Sequence, residues 1–267
     1  MKTTLLSLAL AVTFTLPATA QDVGDMAVID ILPGWRTDNG THMAALRVQL
    51  APGWKTYWRA PGDAGIPAYF DWRGSDNLAG VTLHWPVPEV FVQNGLNAIG
   101  YKTQVVIPME LRPRDPSREI TLDGAIDIGV CQDICVPISA PLSAKLLPES
   151  SPGAAHRDAR IRAALADRPM TRAEAQVGQV SCSVNPAQRG ITITASIPMP
   201  TLGGNEYAVF ELPGTDVWVS PAIAHRAGGT LTASADVLSQ SAVAFDRSKL
   251  RITVLGRNGA VDIQGCG

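Results

Sequence analysis

The chain has 267 residues, 22 Lys and Arg against 24 Asp and Glu, a formal net charge of −2, and four cysteines. So near-neutral a balance argues against nucleic acid or an anionic membrane surface as the main partner. The length suits one large or two small domains.

Met1-Lys2 is followed by an apolar stretch from Leu5 to Leu16 and then by Pro17-Ala-Thr-Ala20. A basic start, an apolar run too short to span a bilayer and an A-x-A ending predict a cleavable secretory signal peptide over residues 1–20. No cysteine follows the expected cleavage site, so a lipid anchor is not indicated, and no later stretch predicts membrane insertion. Export places the protein where disulfides persist, and an even number of cysteines is compatible with two bridges.

From Met26 onward the pattern is short strands broken by Gly, Pro, Asn and Asp. Strands are expected at Ala27–Leu32, Met43–Leu50, Ala68–Trp72, Val81–Trp85, Gln104–Leu111, Ile120–Val130 and Leu142–Leu147. Ala45, Arg47 and Gln49 alternate with Leu46, Val48 and Leu50, so one face can be buried while the other is wet. Residues 21–148 read as one antiparallel sandwich.

Residues 149–176 break the pattern and read as a linker with a short helix. Ser151-Pro152 is a plausible start, Ile161, Ala164 and Leu165 share a face, and Pro169 ends the run. The arginines at 157, 160, 162, 168 and 172 read as a solvated face. Residues 177–267 return to β alternation in Gly190–Ile197 and Leu250–Val254. Arg257-Asn-Gly259 offers an Asn-Gly hairpin turn. The fold class is all-β, two sandwiches joined by a short helical linker.

Cys182 and Cys266 stand near the two ends of the second β region. Bridging them closes a loop of about 85 residues, worth roughly 4.6 kcal/mol on the chain-entropy estimate, against about 2 for the five-residue loop from Cys131 to Cys135. The first pair is therefore expected to be structural, and the second is a poor staple. Three readings of Cys131 and Cys135 stand at this point: a small structural bridge, a soft-metal site holding Cu(I) or zinc, and a redox dithiol. His42, His84, His156 and His225 are scattered in sequence, none close to the pair.

Along the preceding strand Ile126, Ile128 and Val130 point one way, and Asp127, Gly129 and Cys131 the other. Cys131 is thus expected to end a strand on the exposed face, with Gln132–Ile134 as a turn. Asp133 brings negative charge close to both sulfurs, which raises their pKa and disfavours indiscriminate reaction.

The stretches Pro52–Pro67 (PGWKTYWRAPGDAGIP), Phe70-Asp-Trp72, Trp85-Pro-Val-Pro88, Ile99-Gly-Tyr101 and Val130–Pro137 (VCQDICVP) carry a family likeness. The first half resembles the N-terminal periplasmic domain of the DsbD family of thiol:disulfide interchange proteins. It is most similar to the ScsB type, associated with suppression of copper sensitivity. The resemblance implies an immunoglobulin-like fold and a periplasmic location. It also implies protein-disulfide reductase chemistry at Cys131 and Cys135 with no cofactor, Cu(I) binding by the same thiolates being the alternative. It implies that Cys135 attacks a partner's disulfide and that Cys131 resolves the mixed disulfide.

The family's cap loop maps to Pro88–Gln93, with Phe91 as the cap, Glu89 as its acidic neighbour, and Trp54 and Tyr57 as aromatics near the pair. The spacer from Phe91 to Tyr101 is longer than in the best-known members. Implied partners are a membrane-embedded DsbD/CcdA-like reductase and periplasmic thioredoxin-fold proteins. Full-length relatives continue into a membrane domain, so the electron donor is expected to be a separate protein.

Overall fold

The computed structural model describes residues 23–148, 158–215, 217–238 and 246–266. The expected signal peptide, the Ser151-Pro152 helix start and His156 lie outside these residues. Ten strands come first: β1 Ala27–Arg36, β2 His42–Leu50, β3 Lys55–Gly62, β4 Tyr69–Asp71, β5 Leu78–Leu83, β6 Glu89–Gln93, β7 Leu96–Lys102, β8 Gln104–Pro113, β9 Ile120–Cys131 and β10 Cys135–Leu146. They form two antiparallel sheets. One runs β1-β2-β8-β5. The other runs β10-β9-β3-β7-β6, with β4 on β9.

Alternation drives this pairing. Leu46, Val48, Ile107, Met109, Ile120, Leu122, Ile126, Ile128 and Val130 all fall in one apolar core between the sheets, together with Trp58, which is fully buried. Side chains of period two on both inner faces interdigitate into such a layer. The fold is all-β and immunoglobulin-like.

Strands β3 and β7 have no counterpart among the expected elements. Both lie in the stretches PGWKTYWRAPGD and IGY, where Gly and Pro mask the alternation. The final strand is also longer than expected, because β10 begins directly at Cys135 and pairs with β9 along its whole length.

Helix α1, Ala159–Ala166, is capped by Asp158, whose side chain accepts from the Arg160 amide. Its buried Ile161 and Ala164 pack on Leu32, Trp35, Met43, Ala45 and Val106, covering the outer face of the first sheet. Helix α1 is therefore docked on the sandwich.

Among the described residues nine further strands follow: β11 Met170–Thr171, β12 Ser181–Ala187, β13 Gly190–Pro198, β14 Tyr207–Glu211, β15 Trp218–Val219, β16 Ile223–Ala227, β17 Thr230–Leu238, β18 Arg251–Gly256 and β19 Gly259–Gln264. They make sheets β11-β19-β18-β14 and β12-β13-β17-β15, with β16 on β17, around a separate core. The short β11 lies within the expected linker and pairs in parallel with β19.

The β18–β19 hairpin forms as anticipated, but its loop residues are Arg257 and Asn258. Gly259 instead opens the return strand, at φ 121°. Leu255 and Ala260 join the first core, with Tyr207 and Val209 packed beside them, so the two β regions share apolar contact.

Candidate functional site

Strands β9 and β10 meet in a three-residue loop that sets Cys131 directly opposite Cys135, and the two sulfurs are bonded. Strand β3 lies against β9 at this end, Lys55 facing Cys131 and Thr56 facing Val130. The buried Thr56 hydroxyl donates to the Gly129 carbonyl at 2.9 Å and fixes that register. Tyr57 therefore arrives beside the disulfide. Its hydroxyl lies 2.6 Å from the Cys131 sulfur and 3.2 Å from that of Cys135.

Alternation places Cys131 on the face opposite Ile126, Ile128 and Val130, as expected. That face is covered, not exposed: Cys131 has no accessible surface. It sits in a small second cluster with Tyr57 and Ala98, against which Ala64, Ile66, Phe91 and Cys135 pack. Gly129 admits part of that cover, since a Cβ there would meet the Ile66 side chain at 2.6 Å. Cys135 is half-buried, and Ile134 beside it is among the most exposed apolar residues of the protein, at 77%.

The expected cap segment is a strand rather than a loop. Strands β6 and β7 form a hairpin in which Gln93 faces Leu96 across Asn94 and Gly95. Both turn residues have positive φ, 51° and 80°, the signature of a tight Asn-Gly hairpin turn. Period two then sends Phe91 and Gln93 towards the disulfide and Val90 and Val92 outward, 39% and 70% exposed. Strand β7 lies between β6 and β3 and carries the small residues Ala98 and Gly100. A Cβ on Gly100 would come within 2.0 Å of the Thr56 carbonyl oxygen. Gly100 thus keeps β7 close against β3, and Phe91 and Gln93 reach the disulfide cluster from β6.

Gln93, which the sequence did not single out, is 6% exposed. Its side-chain N–H donates to the Cys135 sulfur at 3.2 Å and its carbonyl accepts from the Tyr57 hydroxyl at 3.1 Å. The NG dipeptide following it was the available signal. Burial raises the Tyr57 pKa, and the hydrogen bond to Gln93 only partly opposes this. The phenol thus stays protonated, a donor, at neutral pH.

Of the other expected site residues, Glu89 pairs with Lys102 at 2.7 Å on the surface. Lys102 and Lys55 lie 5.4 and 5.9 Å from the Phe91 ring centre, flanking it with positive charge. Trp54 is part of the main core, not of the cysteine cluster. Asp133 is exposed in the turn, and the polar side chains that touch the sulfurs are Tyr57 and Gln93.

Cys182 is bonded to Cys266, joining β12 to the residues just after β19. Among the described residues there is no cluster of three or more His, Cys, Asp and Glu side chains able to hold a metal. No helix among them is long and apolar enough to cross a membrane.

Comparison with known proteins agrees with this geometry. Residues 30–147 match the family model described as thiol:disulfide interchange protein DsbD, N-terminal. The crystal structure of the N-terminal periplasmic domain of ScsB from Proteus mirabilis superposes with a TM-score of 0.64 at 25% identity, covering 90% of this chain and 92% of that one. The C-terminal domain of the Streptococcus agalactiae AgI/II polypeptide BspA aligns at a TM-score of only 0.17 and 8% identity, too low to carry an argument. No curated protein matches the chain. The disulfide and its β-hairpin cap lie within the residues that match the DsbD N-terminal thiol:disulfide interchange family model, 30–147, in a chain similar over nine-tenths of its length to the ScsB N-terminal periplasmic domain.

Proposed function

We propose that the chain relays reducing equivalents from a membrane-embedded reductase of the DsbD/CcdA kind to periplasmic thioredoxin-fold partners. Cys131 and Cys135 carry the two electrons. The observation that supports this most is the unequal burial of the two cysteines: Cys131 is sealed and Cys135 is half-buried beside the exposed Ile134.

In the reduced protein the Cys135 thiolate attacks the partner's disulfide. A Cys135–partner bond forms, the partner's own S–S bond breaks, and its leaving sulfur takes up a proton. Cys131 then gives up its proton and attacks Cys135, which expels the partner's second sulfur. One dithiol and one disulfide have exchanged two electrons and two protons. Such exchange depends on the thiolate fraction of the attacking sulfur and on access to it. The Phe91 cap limits that access to partners able to displace it.

Replacing the resolving cysteine tests the reading. A Cys131→Ala variant expressed in an exporting host is expected to accumulate mixed disulfides through Cys135 with thioredoxin-fold proteins. The absence of any such adduct, with tight stoichiometric Cu(I) binding by the reduced wild type, would favour a copper-holding role for the same thiolates.

A further inference from the structure

Gln93 reaches the redox disulfide from the end of β6, touching the Cys135 sulfur directly and Cys131 through the Tyr57 hydroxyl. It is buried, it ends the cap strand, and both ends of its amide are engaged. A disulfide sulfur offers only lone pairs, so the amide must turn its N–H side to Cys135 and its carbonyl to the Tyr57 hydroxyl.

On reduction the same contacts make a chain with a direction. The Cys131 S–H donates to the Tyr57 oxygen, the Tyr57 O–H donates to the Gln93 carbonyl, and the Gln93 N–H donates to the Cys135 sulfur. Once one proton has left the pair, only one of the two placements of the charge satisfies every link: Cys131 as the thiol and Cys135 as the thiolate, since a Cys131 thiolate would draw the Tyr57 proton away from the Gln93 carbonyl. We infer that Gln93 is the donor that polarises the dithiol, selecting Cys135 as the attacking thiolate and holding Cys131 protonated until the mixed disulfide forms. This rests on the exchange function proposed above and assigns within it the group that sets which sulfur reacts.

The surrounding charges do not supply this asymmetry. Lys55 on β3 is half-buried, and Lys102 on β7, Glu89 on β6 and Asp133 in the cysteine turn are exposed. Lys102 and Glu89 pair with each other. The Tyr57 phenol is uncharged and lies nearer Cys131, 2.6 Å against 3.2 Å, so it does not by itself favour Cys135 as the thiolate.

The test is the pH dependence of Cys135 alkylation by iodoacetamide in the reduced full chain, located by peptide mass spectrometry. Gln93→Leu keeps the bulk and removes the donor, and the alkylation midpoint is expected to rise by about one pH unit, a tenfold slower rate at neutral pH. Gln93→Glu places an acceptor against the sulfur, and its midpoint is expected to rise further.

If Gln93 only held the cap in place, both variants would react faster at every pH with an unmoved midpoint, and that result would overturn the inference. The wild-type pair is also equilibrated with glutathione buffers. Failure to equilibrate would remove the exchange reading itself, whereas normal equilibration with wild-type midpoints in both variants would remove only the role of Gln93.

Discussion

At the scale of single residues the site depends on where one hydroxyl proton goes. Tyr57 lies within hydrogen-bonding distance of both sulfurs and of Gln93, yet carries a single proton. While Cys131 is a thiol the proton serves Gln93. When Cys131 ionises to resolve the mixed disulfide, the hydroxyl can turn and donate to it at 2.6 Å. A hydrogen bond to a charged group contributes about 1.5–3 kcal/mol. Tyr57→Phe should therefore slow resolution roughly ten- to a hundredfold and leave the first attack less affected. Quenched-flow measurement of mixed-disulfide lifetime with a model disulfide checks this. An unchanged lifetime would mean that Tyr57 acts as packing alone.

At the scale of elements the β6–β7 hairpin is the working part. Its tight turn and alternation give it an inner face, Phe91 and Gln93, and an outer face, Val90 and Val92. Pairing along β7 holds it to the sheet, while its free edge carries no further strand. The edge strand β6 can lift without unfolding the sandwich, since none of its residues belongs to the main core, whereas β7 stays anchored there by Ile99 and Tyr101. Phe91→Ala should uncover the sulfurs at small cost to the fold. Reduction of the Cys131–Cys135 bond by dithiothreitol is expected to accelerate severalfold, with the denaturation midpoint nearly unchanged. Equal reduction rates in variant and wild type would show that the ring does not limit access.

At the scale of the whole molecule β3 ties the redox site to the second β region. Trp58 points into the core and Tyr57 to the disulfide, and Arg59 crosses to β14. Its guanidinium makes a bidentate pair with Glu211 at 3.0 and 2.9 Å and a further bond to the buried Thr253 hydroxyl. It also stacks 3.8 Å above the Trp58 ring.

Burial pushes the Arg59 pKa down, and Glu211 opposes this, so each charge depends on the other. Losing one partner of a buried pair costs about 3–5 kcal/mol, while replacing both by apolar groups is often near neutral. Arg59→Leu alone should destabilise the protein on that scale, and Arg59→Leu with Glu211→Leu should recover much of the loss in chemical denaturation. Additive losses in the two single variants would show that the pair is not coupled.

Local patterns in the chain were enough to specify the all-β class, the helix face of Ile161 and Ala164, the partnering of Cys182 with Cys266 and the turn after Cys131. Each is a property of residues near one another, or of simple loop arithmetic. Strands β3 and β7 were not legible, because their Gly and Pro residues hide the alternation that pairing with neighbours restores.

The exposure of Cys131 was misjudged for a related reason. Alternation says which way a side chain points but not what another strand lays over it. Gln93 reaches Cys135 from β6, across β7, which packs tightly on β3 because Gly100 leaves room for the Thr56 carbonyl. That contact, between residues 42 positions apart, is set by packing across three strands, which only the tertiary structure decides.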